Sequence, residues 1–80
     1  MRAVYVEWVD SEKHVEPWLA PDEIEGPGLI KTVGWLVKDE DDYVAVATCA
    51  AEGGAVGGTS TIPRGCIKTQ LFIEMHLGAQ

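Results

Sequence analysis

The segment AVYVEWV, residues 3–9, alternates: Val4, Val6 and Trp8 share one face of an extended chain, and Ala3, Tyr5, Glu7 and Val9 share the other. A period of two is the signature of a strand, and the face with Val4, Val6 and Trp8 is the one predicted to be buried. The same reading makes strands of LIKTVGWLVK (29–38), YVAVATCA (43–50), a short TSTI (59–62) and IKTQLFIEM (67–75). β-Branched and small residues dominate the third. In the last, Ile67, Thr69, Leu71 and Ile73 are assigned to the packed face, and Lys68, Gln70 and Glu74 point away. Gly34 interrupts the second strand, where a glycine marks a sharp bend or a close backbone approach. Trp8 and Trp35 are assigned to the core, which needs large side chains to fill it.

The connections are as telling. DSEKHVEPWLAPDEIEGPG (10–28) is punctuated by Pro17, Pro21 and Pro27, so it admits no long helix. A single helical turn at 21–25 is predicted, with Pro21 at its first position and Asp22 and Glu23 at the positive end of its dipole. Trp18, Leu19 and Ile24 are expected to fold back onto the core. DEDD (39–42) reads as an exposed turn, AEGGAVGG (51–58) as a hairpin tip and PRGC (63–66) as a tight turn. One strand, a long loop, two hairpins, a tight turn and a last strand is the connectivity of a small five-stranded antiparallel SH3-like or Sm-like barrel. The fold class is therefore mainly β, one domain over residues 1–80, with at most a short helical turn in the first loop. An open five-stranded antiparallel sheet with a helical turn is the alternative.

Composition adds limits. At 80 residues, with a hydrophobic fraction of 46%, the chain can bury only a modest core. Two cysteines form no disulfide framework, so self-association is the expected supplement to that core. No signal-peptide pattern and no apolar run of about 20 residues is present, which points to the cytoplasm, with both thiols reduced. The net charge of −7 disfavours bulk nucleic acid, whose binding rests on many Lys and Arg contacts to phosphate. The charge is uneven: residues 1–52 carry a net −8 and residues 53–80 a net +1.

Candidate chemistry is sparse. Asp39–Asp42 lacks the ligand spacing of a calcium loop and reads as a solvated tip, so no metal is expected. His14 and His76 have no partner at ligand spacing, and Cys49 and Cys66 read as ordinary thiols with no nucleophile signature around them. No enzyme activity and no cofactor is predicted. The segment most able to receive an anion is Thr59–Arg64, with the glycines just before it. Gly57 and Gly58 permit converging backbone N–H groups, Thr59, Ser60 and Thr61 add hydroxyl donors, Arg64 adds a planar fork, and Lys68 follows with a point charge. Trp18 and Tyr5 are the candidates to stack on a base.

VEWVDS (6–11), Trp18, TVGWLVKDEDDYVAVA (32–47) and IPRGCI (62–67) together resemble a group of short phage and prophage proteins. Those proteins open with a V-x-W-x-D-S strand, continue with a G-(F/W)-L-V strand and an acidic turn, and finish on an isoleucine–proline turn. This chain differs at Pro17, where the group often has glycine. The resemblance implies an accessory protein acting in the cytoplasm of an infected bacterial host. Some small phage proteins are oligomeric sponges that hold nucleotide immune signals without cleaving them. The leading expectation is thus a homo-oligomer binding a small anionic, nucleotide-like ligand at subunit interfaces. The alternatives are an acidic module covering a host protein and, more weakly, Sm-like RNA binding.

Overall fold

The computed structural model describes residues 1–11 and 18–74. Five strands form one antiparallel sheet: β1 (Arg2–Asp10), β2 (Gly28–Asp39), β3 (Tyr43–Ala50), β4 (Val56–Pro63) and β5 (Ile67–Ile73), in the order β4-β3-β2-β1-β5. The mainly β, five-stranded antiparallel class read from the alternation is the one observed. β1 is the hub, paired along its length with β2 and on its other side with β5. β4 and β5 are the two edges, joined only by a 3₁₀ turn over Arg64–Cys66, with no ladder between them among the described residues. A second 3₁₀ turn, Pro21–Glu23, has its proline at the first position as expected, and the Glu23 carboxylate accepts from the Ala20 N–H at 3.3 Å.

The sheet curls around its core. Val4 and Val6 of β1, Val44 and Val46 of β3 and Ile62 of β4 are fully buried in one cluster, with Trp8, Leu36 and Ile67 packed against it. β1 and β3 are not neighbours, so their valines meet only because the intervening β2 is narrow on that face. Opposite Val4 stands Gly34, and opposite Val6 stands Thr32. A Cβ at Gly34 would overlap the Ala47 carbonyl oxygen and lie 2.9 Å from Val46 Cγ1. The glycine is thus a close-approach position, and its φ is not left-handed. A register shift between Leu36 and Lys38 adds a second irregularity where β2 passes from β1 to β3. Trp8 closes the rim of the core, and its indole N–H donates to Thr32 Oγ1 at 3.0 Å.

Several details differ from the sequence reading. β4 is twice the length of TSTI, because Gly57 and Gly58 continue the strand although they supply no side-chain pattern. Gly58 takes φ +61 opposite Thr48, whose hydroxyl donates to the Gly58 carbonyl at 3.4 Å. β5 does not present one packed face. A bulge between Glu7 and Trp8 pairs Ile67 with Trp8 on the core side, then sets Gln70 and Phe72 opposite Val6 and Val4. Thr69, Leu71 and Ile73 consequently lie on the opposite face, and Leu71 is 57% exposed. Trp35 also sits on that outer face, in the ladder between Ala3 and Ala47. In the first loop Trp18 is 90% exposed and Ile24 is exposed as well, so neither folds onto the core. Pro17 lies outside the described residues. No helix among the described residues is long and apolar enough to cross a membrane.

Candidate functional site

The anion-receiving residues do not converge in one protomer. Gly57, Thr59 and Thr61 alternate with Gly58, Ser60 and Ile62 along the edge strand β4, and Thr59 and Thr61 are exposed. Strand rise alone puts Gly57 roughly 20 Å from Arg64. Lys68 is exposed on β5, at the other edge of the sheet, and forms no ion pair among the described residues. Trp18 stands in the first loop, and Tyr5 lies on the outer face of β1.

Arg64 is already engaged. Its Nε donates to the Glu40 carbonyl at 2.6 Å, its Nη2 pairs with the Asp39 carboxylate, and its backbone N–H donates to the Asp42 carbonyl at 3.0 Å. The fold therefore brings the acidic turn onto a segment that itself holds no carboxylate. Both side chains are substantially exposed, so the pair itself contributes modestly to stability. Replacing Arg64 with alanine should lower stability by about 1 kcal/mol, and added salt should shrink the difference; urea unfolding at two ionic strengths measures both.

The outer face of β5, β1 and β2 carries several exposed apolar side chains, and sequence reasoning missed it. Its rows follow the ladder: Trp35–Ala3–Ile73, Val33–Tyr5–Leu71, Lys31–Glu7–Thr69 and Leu29–Val9. Leu29, Val33 and Leu71 are each more than half exposed. Exposed apolar rows of this kind, here on either side of the polar Lys31–Glu7–Thr69 row, mark interaction sites, whereas scattered single residues do not. The signal in the sequence was that the strands are apolar at both phases of the alternation, as expected of strands covered on both sides.

Within this face the Tyr5 hydroxyl donates to the Glu7 carboxylate. That hydrogen bond, aided by desolvation and by the charge of Glu7, raises the phenol above its ordinary value of 10.0. The unfolded chain then loses this proton before the folded chain does. Stability is full below pH 10.0 and falls as pH rises through the folded value. Replacing Glu7 with alanine should return the phenol toward its ordinary value, read from the pH titration of the Tyr5 ring resonances.

Cys49 is exposed and Cys66 half-buried, both as free thiols. His14 and His76 lie outside the described residues. No group of three or more metal-ligating side chains occurs among the described residues. No family model, no curated protein and no solved structure matches the chain.

Proposed function

We propose that the protein is a non-enzymatic binding protein of phage type that works as a homo-oligomer and holds a small anionic, nucleotide-like ligand where copies meet. The exposed apolar face of β5, β1 and β2 carries this reading. A domain of this size has little core to spend on an uncovered sheet face, and a second copy is always available to cover it. The dispersal of Tyr5, Trp18, Thr59, Thr61 and Lys68 over separate faces supports the second half of the proposal. Side chains that cannot reach one ligand from one protomer can do so from neighbouring protomers. Such a protein would act by sequestering a host defence signal rather than by transforming it.

Light scattering and calorimetry test the two halves separately. Self-association is expected across a concentration series. The assembled protein is then titrated with cyclic dinucleotides, cyclic trinucleotides and ADP-ribose derivatives. Binding of one class, weakened by Lys68→Ala, supports the ligand reading. No heat from any of them, with the assembly intact, removes it.

A second reading, capture of a basic host protein, is favoured by the carboxylates of Asp41 and Asp42. They are exposed at the tip of the acidic turn and form no ion pair among the described residues. Loss of the captured protein on replacing both with serine would favour it over the ligand reading.

A further inference from the structure

We infer that the outer face of β1 and β2 packs against the same face of a second copy about a two-fold axis running parallel to the strands between β1 and β2, which sets β5 of each copy over β3 of the other. The inference rests on the self-association proposed above and names the surface and register that would bring it about.

The argument comes from the β1–β2 ladder. On the outer face Ala3 stands opposite Trp35, Tyr5 opposite Val33, Glu7 opposite Lys31 and Val9 opposite Leu29. A two-fold axis between the two strands exchanges the members of each pair, so that every β1 residue faces the β2 member of its own pair in the other copy. In a face-to-face sheet packing, with the sheets about 10 Å apart, such opposed side chains fill the space between. The exchange produces three complementary matches among exposed and half-buried side chains, while Ala3 is buried within its own protomer. Tyr5 meets Val33, and Val9 meets Leu29. Glu7 meets Lys31, twice by symmetry, as an isologous interface requires.

The alternative axis, along β1 itself, would stack Glu7 on Glu7 and leave both lysines uncompensated. Like charges set against each other in that way are strongly disfavoured. The charge pattern therefore selects one axis. It also explains a loose end within the protomer: Lys31 is exposed and forms no ion pair among the described residues, although its register partner is a carboxylate. Glu7 accepts from Tyr5 instead, which leaves its remaining lone pairs for a donor outside the chain. Charge complementarity sits in the middle of the face, between apolar rows, where it can fix register.

Two charge reversals make a decisive experiment. Glu7→Lys gives a protomer with two lysines at the crossing, and Lys31→Glu gives one with two glutamates. Each variant alone should dimerise at least about tenfold more weakly than the parent by sedimentation or light scattering. An equimolar mixture of the two should recover the dimer as a heterodimer, because each lysine then meets a glutamate of the other protomer. Mixing cannot repair the pairing within either chain, so recovery assigns the contact to the interface. Val33→Thr, at a residue 59% exposed, should weaken dimerisation and leave the unfolding midpoint of the dilute, monomeric protein in place. Undiminished self-association in both reversals and in Val33→Thr would overturn this face while leaving self-association standing. A parent protein that is monomeric at high concentration would overturn both.

Discussion

Replacing Gly34 with alanine should lower the stability of the domain by about 3 kcal/mol, the upper range for forcing extra volume into a packed interior. For a domain of this size that corresponds to a fall in midpoint temperature of roughly 10–25 °C. The cause is the position, not helix or strand propensity. The added methyl would occupy the space of the Ala47 carbonyl oxygen, which belongs to the adjacent strand and cannot rotate away like a side-chain tip. β3 would have to move off β2, carrying Val46 with it, and Val46 belongs to the buried cluster. Thermal unfolding followed by circular dichroism measures the loss. A change below about 0.5 kcal/mol, the range of neutral surface substitutions, would mean that the two strands do not approach as closely as described.

Truncating Ile62 to alanine should cost about 2–5 kcal/mol, and to valine about 1 kcal/mol. Among the described residues Ile62 is the largest fully buried side chain, and it reaches the valines of β1 and β3 from an edge strand. It is the only β4 residue in the cluster, so its loss also frees that strand from the core. Leu71→Ala provides the contrast. That side chain is 57% exposed, so its truncation should change the stability of the isolated protomer by no more than about 0.5 kcal/mol. Urea unfolding of the three variants should rank Ile62→Ala well below the others. Equal costs for Ile62→Ala and Leu71→Ala would contradict the assignment of inner and outer faces.

The architecture was legible because alternation, prolines and glycines are local signals. β1, the whole of β3, the turn at Pro21 and the turn after Ile62 could all be read from neighbouring residues. Gly34 was readable as a close approach because a glycine in a β-branched strand has few other uses. What was lost depended on how distant strands meet. One bulge between Glu7 and Trp8 reassigns the faces of β5, and no pattern within IKTQLFI announces it. Trp35 was assigned to the core from its size, yet its register partners Ala3 and Ala47 seat it on the other side.

The candidate site suffered most from reading charge along the chain. Arg64 is remote in sequence from Asp39–Asp42, and the fold sets them together. Charge balance computed over a segment cannot foresee which turns will be stacked at one end of a sheet. The outer face, by contrast, could have been suspected from AVYVEWV and LIKTVGWLV, which are apolar at both phases. Deciding between two candidate inner faces needed the ladder.

The pairing of β1 with both β2 and β5 sets the order in which the domain can be completed. β2, β3 and β4 follow one another through short turns and can zip together as they are made. β1 leaves the ribosome first but gains its second neighbour only when the last strand arrives, across nearly the whole chain. Pairings of such long sequence separation are the slow ones. Until β5 arrives, β1 is an open edge with Val4, Val6 and Trp8 on one side and Tyr5 and Val9 on the other. The nascent protein is most exposed to misassembly in that interval, and the same strand that organises the finished sheet is the one a chaperone would have to shield.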